Sequence, residues 1–156
     1  MESHYYHVNI NWSRDRKGMM CSPELSMPSP GTGGCIEVAT PPEFPKGIPG
    51  IWSPEHLFTA SISSCLMTTF LAIAENSNLE FLSFQCQSTG KLDRVEGKFL
   101  MSEILLEPKV TIADEKDREK AERVLQKSEA ACLISNSVRS KIIMNPVIEV
   151  IAANPV

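Results

Sequence analysis

The sequence predicts an α+β fold in a single domain that spans residues 1–156. Segments with strand-like alternation occur in runs, and two long segments carry helix signals, so the chain does not repeat the strand–helix unit of a parallel α/β fold. A length of 156 residues, with 42% hydrophobic and 22% charged residues, is typical of one globular domain with a sizeable core.

Short strands are expected before the first helix. Residues 5–12 alternate apolar and polar side chains, and the polar segment SRDRKG that follows predicts a turn. Further strands are expected over residues 19–25 and 35–39. The next segment, TPPEFPKGIPGIWSP, contains five prolines and two glycines, which predicts a surface loop.

The segment PEHLFTASISSCLMTTFLAIAE predicts a long central helix. Ser53 can cap its first amides, Pro54 suits the first helical position, and Glu55 complements the helix dipole, while residues 76–78 end it. Residues 57–74 carry no charge over 18 positions, the lower limit for a membrane span. Six of these residues are Ser or Thr, however, and both flanks are acidic. We therefore predict a helix in the middle of the molecule, or between two molecules, and no membrane partner.

Strands and a second helix are expected after the central helix. Strands are predicted over residues 81–87, 98–111 and 147–152, the last of which ends the fold. The second helix should run over residues 114–132, with Asp114 as its cap. Its buried face is predicted from one apolar stripe: Ala121, Val124, Leu125, Ser128 and Cys132.

Composition argues against several classes of partner. A net charge of -4 without a lysine or arginine cluster argues against nucleic acid. The N-terminal MESHYYHVN has neither a basic start nor an apolar core, so we expect no signal peptide. Five cysteines, an odd number without CxxC, predict a reducing compartment, the cytoplasm, rather than a disulfide framework. No Cys/His pair has metal-ligand spacing, and we expect neither a metal nor a cofactor.

The cysteines differ in their surroundings. A free cysteine is by default a small, buried, inert hydrophobe, and Cys21, Cys35 and Cys86 are expected in strands without a chemical role. Cys65 and Cys132 lie instead on helix faces that also carry hydroxylated residues, which indicates a partly polar pocket. Composition alone still favours inert burial for these two.

Two motifs together carry a family resemblance. PEHLFTASISSC places Cys65 ten residues after Glu55, and AACLISNS closes the second helix at Cys132, 67 residues after the first cysteine. This pair resembles the signature of the OsmC/Ohr family, the osmotically induced and organic hydroperoxide resistance proteins. The resemblance implies an OsmC-like fold with antiparallel sheets around a long central helix. It also implies an intertwined homodimer with active sites at the subunit interface.

The resemblance implies a cysteine-based peroxidase as well. Such an enzyme reduces organic hydroperoxides and is restored by a cellular dithiol. By position, Cys65 matches the attacking cysteine, Cys132 the resolving cysteine, and Glu55 the glutamate of the motif. At least half of a larger set is expected to be plain core, and the others could form an apolar entrance for the peroxide: Phe44, Trp52, Phe58, Leu66, Met67 and Phe70.

The reaction requires a thiolate, and a free cysteine with a pKa of about 8.5 is mostly protonated at neutral pH. Cys65 lies about three turns into the helix, where the end charge has faded, so a cation is expected from elsewhere. The family's arginine follows the first strand in a Gly-Gly-Arg-Asp turn. Arg14 and Arg16 are both candidates here, and we expect Arg14 because it directly precedes Asp15.

Helix geometry bears on the assembly. Ten residues of helix separate Glu55 from Cys65 by roughly 15 Å, so one chain's carboxylate cannot easily serve its own thiol. If both residues belong to one site, two antiparallel copies of the helix could bring the glutamate of one subunit towards the cysteine of the other; otherwise Glu55 only complements the helix dipole.

Two other function classes stay open on the sequence. One is a binding or structural homodimer whose cysteines are inert. The other is a different thiol enzyme, such as a cysteine hydrolase, which would need a histidine beside the thiol. The chain offers three histidines for that role: His4, His7 and His56.

Overall fold

The computed structural model describes residues 1–25 and 34–152. The chain forms two compact units, Met1–Leu57 and Phe58–Val156. Within the described residues, two α-helices together with an antiparallel and a mixed sheet confirm the predicted α+β class.

The N-terminal unit contains a three-stranded antiparallel sheet. Its strands are β1 (Asn9–Arg14), β2 (Lys17–Cys21) and β3 (Cys35–Ala39), in that spatial order. The third agrees with the prediction. The first begins later than predicted because its pairing with β2 starts at Asn9, opposite Cys21. The second ends before the predicted position, and a short 3-10 turn, Pro23–Leu25, follows it.

A tight turn joins β1 to β2. Arg14 pairs with Lys17, so Asp15 and Arg16 form the two-residue connection. Asp15 has a positive φ of 48°, which short polar residues tolerate better than most. The indole Nε1 of Trp12 donates to the Asp15 carbonyl at 3.1 Å and fixes the turn.

Cys21 and Cys35 lie in strands as predicted, but the expectation that they are free, inert cysteines is wrong. These residues lie directly opposite each other on β2 and β3, with Cα atoms 4.1 Å apart, and are joined by a disulfide. The register of β2 on β3, which the sequence does not reveal, brings them together. The odd cysteine count follows from three further cysteines that are free: Cys65, Cys86 and Cys132.

The proline-rich segment forms a loop of turns, as predicted. The N–H of Phe44 donates to the Pro41 carbonyl, and the N–H of Ile48 donates to the Thr40 carbonyl at 2.9 Å. At its end the chain returns to β3, where the Ala39 N–H donates to Trp52.

The central helix α1 (Pro54–Asn76) has the ends that the sequence predicts. Ser53 is buried, and its Oγ accepts the His56 N–H at 3.2 Å, which caps the first turn. At the other end Asn78 adopts a φ of 50°, and the Leu79 N–H donates to the Ala74 carbonyl at 2.9 Å. This is the arrangement of a Schellman cap.

One face of α1 packs in the core of the C-terminal unit. Its buried residues follow helical spacing: Ile62, Cys65, Leu66, Phe70 and Ala74. Among the described residues, α1 is the one helix long and apolar enough to cross a membrane by length and composition. Only 28% of its most apolar 18-residue window is buried within the chain, and Met67 and Leu71 are 40% and 43% exposed. Part of its apolar surface is therefore left uncovered.

The C-terminal sheet is built on one long strand, β5 (Lys98–Ile112). It pairs antiparallel with β4 (Ser83–Val95) and parallel with both β6 (Lys141–Met144) and β7 (Val147–Val150), so this sheet is mixed. Strand β4 runs eight residues beyond the predicted end, to a turn at Glu96 and Gly97 with positive φ at both positions. Residues 88–95 are poor in apolar side chains, and pairing along β5 rather than local propensity keeps them extended. Strand β6 was not predicted.

The second helix, α2 (Arg118–Ala131), has the predicted buried stripe. The carboxylate of Asp114 accepts the Lys116 N–H at 3.0 Å and caps a short 3-10 turn before the helix, so α2 itself begins later than predicted. Its apolar residues join β5 and the end of α1 in one cluster: Phe70, Ala74, Val110, Ile112, Ala121, Val124 and Leu125.

Candidate active site

Two free cysteines meet in the C-terminal unit. Cys65 lies at the edge of the buried face of α1, one position before Leu66, and is 9% exposed. Cys132 is the C-terminal cap residue of α2 and is 0% exposed. The helical spacing of the α2 stripe carries Cys132 into the core, so the two sulfur atoms approach each other from different elements.

Four donors surround the Cys65 sulfur. Burial raises the pKa of its thiol, but hydrogen bonds from the Cys132 thiol, the Ile134 N–H, the Thr69 hydroxyl and the Leu133 N–H outweigh burial. The Thr69 oxygen lies 3.9 Å from the sulfur. The pKa of Cys65 is therefore below that of an ordinary cysteine, because these donors favour the thiolate.

Cys132 responds in the opposite direction. Burial raises its pKa, and its hydrogen bond to Cys65 raises it further, while the hydroxyl and N–H of Ser135 oppose both effects. One thiol of the pair is thus disposed to ionise and the other to remain protonated. A buried pair that divides in this way is typical of a site with distinct nucleophile and proton donor.

The sequence places Thr69 on the helix face of Cys65, among the hydroxylated neighbours, but it did not point to Leu133 or Ile134. It led us to expect a cation as the source of the lowered pKa. In the structure, neutral donors lower it, and two of them are main-chain groups in the segment that leaves α2 at Cys132. The signal that could have revealed them is the break between α2 and the following 3-10 turn in AACLISNS, because the N–H groups at the start of such a turn have no partner within it.

Arg14, Arg16 and Glu55 belong to the N-terminal unit. An open cavity of about 750 Å³ in that unit is lined by Arg16 and Glu55. One carboxylate oxygen of Glu55 is buried. Arg14 lies in β1, exposed and paired with Lys17. The structure therefore brings Arg16, rather than the expected Arg14, to the same cavity as the glutamate.

The family profile described as OsmC-like protein matches residues 47–146 of this sequence. The chain belongs to the OsmC-like protein family. The predicted family is thereby confirmed.

Relatives of this OsmC-like chain resemble it over nearly their full length. YmaD of Bacillus subtilis (strain 168), itself uncharacterized, is 24% identical over 148 residues, which are 91% of either protein. An OsmC-like protein of unknown function from Vibrio cholerae has a TM-score of 0.79 at 20% identity, covering 93% of this chain and 100% of that one. An organic hydroperoxide resistance protein from Elizabethkingia anophelis has a TM-score of 0.73 at 19% identity, covering 97% and 100%. These likenesses confirm the predicted OsmC-like fold.

Several residues expected at an apolar entrance have other positions in this OsmC-like chain. Leu66 and Phe70 are fully buried core residues, and Phe58 packs against the core beside Ile62. Phe44 does line the cavity of the N-terminal unit. At least two of the predicted entrance residues therefore serve the core.

The histidines have partners of their own. His56 Nδ1 lies 2.7 Å from the Ser53 hydroxyl, and the ring of His7 contacts Glu24. The cysteine hydrolase alternative thus gains no support from either side chain. Over residues 1–25 and 34–152, no group of three or more His, Cys, Asp or Glu side chains is arranged to bind a metal ion.

Proposed function

We propose that this chain is a thiol-dependent peroxidase that reduces organic hydroperoxides to alcohols. The observation that carries the proposal is the contact between Cys65 and Cys132, with the pKa of Cys65 lowered despite burial. Family membership supports a role in redox chemistry and hydroperoxide resistance. A relative of the same fold is named an organic hydroperoxide resistance protein.

The first half of the reaction uses Cys65. Its thiolate attacks the distal oxygen of the hydroperoxide, the O–O bond breaks, and the alkoxide leaves as an alcohol after taking a proton. The sulfur keeps the transferred oxygen as a sulfenic acid. The donors around Cys65 favour the thiolate that starts this step.

The second half uses Cys132. Its sulfur attacks the sulfenic acid, water leaves, and a Cys65–Cys132 disulfide forms. A cellular dithiol then restores both thiols by exchange and becomes a disulfide itself, which balances the two electrons given to the peroxide. Because Cys132 is already hydrogen-bonded to Cys65 and is fully buried, it is suited to resolve the intermediate rather than to meet the peroxide.

Arg16 and Glu55 are proposed to support the thiolate from a second copy of the chain. Arg16 shares a cavity with Glu55, and Lys17 on the same wall is engaged by Glu37 at 2.9 Å. A guanidinium can stabilise both a thiolate and the oxygen charge that develops as the O–O bond breaks. Because Glu55 and Cys65 are far apart along α1, Glu55 of one subunit is better placed to act near Cys65 of the other subunit than near its own.

The proposed homodimer would cover the exposed part of α1. Residues 64–72 of the helix carry no charge, and Met67 and Leu71 stand 40% and 43% exposed on one side. Apolar surface of this kind on a helix favours association with a second copy, because burial removes it from water.

Mass spectrometry after one equivalent of an alkyl hydroperoxide tests the proposal. We expect a loss of two mass units that maps to a Cys65–Cys132 bond, and an equal response from the Cys86→Ser control. The Cys132→Ser variant should instead retain a sulfenic acid at Cys65, and Cys65→Ser should show neither change. An unchanged mass in the unsubstituted protein would favour the alternative function, a non-catalytic binding or structural homodimer with inert cysteines.

A further inference from the structure

The Cys21–Cys35 disulfide joins two strands that have little core of their own. Cys21 ends β2 and Cys35 begins β3, at one end of five paired positions. In these two strands, both fully described, the buried residues are Gly18 and Ala39, neither of which has a large side chain. Where little apolar surface is buried, a covalent cross-link supplies much of the stability that a hydrophobic core would otherwise provide.

The bond is accessible to a thiol reagent. Cys35 is exposed and Cys21 is half-buried, whereas Cys65 and Cys132 are both buried. Thiol–disulfide exchange requires a thiolate to reach one of the two sulfur atoms, and exposed disulfides are the labile ones. A dithiol in solution can therefore attack at Cys35.

Strands β2 and β3 together are called the β2–β3 hairpin here. Its end opposite the disulfide borders the cavity that Arg16 lines. The Ala39 N–H donates to the Trp52 carbonyl at 2.9 Å, and the Thr40 N–H donates to the Arg16 carbonyl at 3.0 Å. The second bond continues the pairing of β3 with β2, whereas the first joins β3 to the proline-rich loop. Two residues of each strand line the cavity: Lys17, Gly18, Val38 and Ala39.

We propose that Cys21–Cys35 is a second redox centre, which a dithiol opens, and that its opening loosens the β2–β3 hairpin and the cavity wall. One thiolate of the dithiol attacks the Cys35 sulfur, and Cys21 leaves as a thiolate that takes up a proton. The second thiol of the reagent then displaces Cys35. The reagent ends as a disulfide, and the protein gains two electrons and two protons.

The C-terminal unit is not part of this switch. Its buried residues form their own clusters, one of which contains Phe70, Val110 and Leu125. Opening of the disulfide should therefore leave the order of this unit, and the contact between Cys65 and Cys132, unchanged. The proposal stands whether or not the chain is a peroxidase.

Graded mixtures of reduced and oxidised dithiothreitol test the switch on the full chain. Thiols are blocked with N-ethylmaleimide and mapped by peptide, and amide hydrogen exchange is followed in parallel. We expect Cys21 and Cys35 to be unlabelled at first and labelled after reduction. Exchange at the Ala39 and Thr40 amides should then accelerate by at least about tenfold, with no change at Val110.

Matched variants separate the possible outcomes. Cys21→Ser/Cys35→Ser should exchange fast with or without reductant, and Cys86→Ser should respond like the unsubstituted protein. Cys65→Ser/Cys132→Ser should also respond normally, which separates this proposal from the peroxidase.

Three results would overturn the proposal. These are labelling of Cys21 and Cys35 before reduction, no labelling at any dithiol ratio, and labelling with unchanged exchange at Ala39 and Thr40. If the double serine variant does not fold, labelling and amide exchange of the unsubstituted chain before and after reduction still test the proposal.

Discussion

The thiol of Cys132 lies beside that of Cys65 and lowers its pKa, although the two residues lie 67 positions apart in the sequence. Burial raises the pKa of both thiols, but the donors around Cys65 reverse that effect for Cys65 alone. The pair is therefore asymmetric before any substrate arrives.

Cys65 should ionise at a lower pH than Cys132. A lowered pKa gives a larger thiolate fraction at neutral pH, so the midpoint of its alkylation curve should lie below the midpoint of an ordinary cysteine. The midpoint of Cys132 should lie above it. Peptide-resolved labelling with iodoacetamide across a pH series measures both. In denaturant the two curves should coincide, and a lower midpoint for Cys132 in the folded protein would contradict the prediction.

Cys132→Ala should raise the pKa of Cys65 because it removes a hydrogen-bond donor. A hydrogen bond to a charged group contributes roughly 1.5–3 kcal/mol, so the upward shift of the curve should be resolved. Cys132→Ser is the matched control, since a hydroxyl still donates, and its curve should move less. The measurement is the pH dependence of Cys65 alkylation in both variants. Equal midpoints in the alanine variant and the unsubstituted protein would exclude the donor role.

Thr69→Val should shift the same curve in the same direction by a smaller amount. The hydroxyl oxygen lies 3.9 Å from the Cys65 sulfur, a long contact even for sulfur, and valine retains the shape of threonine without the donor. Thr69→Ser retains the hydroxyl and is the control. A larger shift for Thr69→Val than for Cys132→Ala would mean that the hydroxyl, and not the second thiol, is the stronger donor.

Arg16→Ala should slow peroxide consumption more than Arg14→Ala does. Loss of a charge-assisted contact corresponds to about a ten- to hundredfold fall in kcat/KM, whereas an exposed strand residue outside the cavity should matter little. Arg14→Ala is the matched control, two residues away on the same turn. Steady-state rates with one alkyl hydroperoxide decide between the two. A fall confined to the Arg14 variant would restore the assignment expected from the Arg-Asp motif.

Met67→Lys, alone or with Leu71→Lys, should convert the proposed dimer into monomers. Both side chains are exposed on α1, and a charge buried without a partner at a subunit interface is strongly unfavourable. Leu82→Lys, at a position 61% exposed, is the matched control and should leave the assembly unchanged. Sedimentation velocity at micromolar concentration measures the outcome. A stable monomer before any substitution would remove the dimer from the proposal.

Ile104→Ala should destabilise the C-terminal unit. Ile104 is 0% exposed and lies in β5 beneath α1, so its truncation leaves a cavity and should cost about 2–5 kcal/mol. Leu82→Ala, at an exposed position, should change the free energy of unfolding by no more than about 0.5 kcal/mol. Denaturant titration at one fixed protein concentration compares the two variants. Similar losses for both would mean that the cluster around β5 is not a core.

The elements that the sequence predicted well are those with local signals. Ser53 and Pro54 mark the start of α1, and Asn78, with its positive φ, marks its end. The second half of β4 and the whole of β6 are strands because they pair with β5. Pairing with a distant segment gives no pattern in the local sequence from which the strand could be predicted. The disulfide escaped prediction for the same reason, because only the register of β2 on β3 places its two cysteines together.

The residues of the candidate site also differ in whether the sequence could predict them. Cys65 and Cys132 could be found because their side chains carry the chemistry and their spacing forms a motif. The N–H groups of Leu133 and Ile134 could not, since every residue except proline has such a group and only the end of α2 aims these two. The Arg-Asp step favours Arg14 on the sequence alone, whereas the sharp turn at Asp15 decides which arginine reaches the cavity.

The parallel pairing of β5 with β6 and β7 has a consequence for how the protein is made. Strand β5 must wait for residues 141–150, which follow α2, so the C-terminal sheet is closed by contacts distant along the chain and should form late in folding. A ribosome delivers Cys65 well before Cys132 and the amides that follow it. The nascent chain therefore passes through a stage in which its first thiol resembles any free cysteine. The pKa of Cys65 should fall only after β6 and β7 have paired with β5.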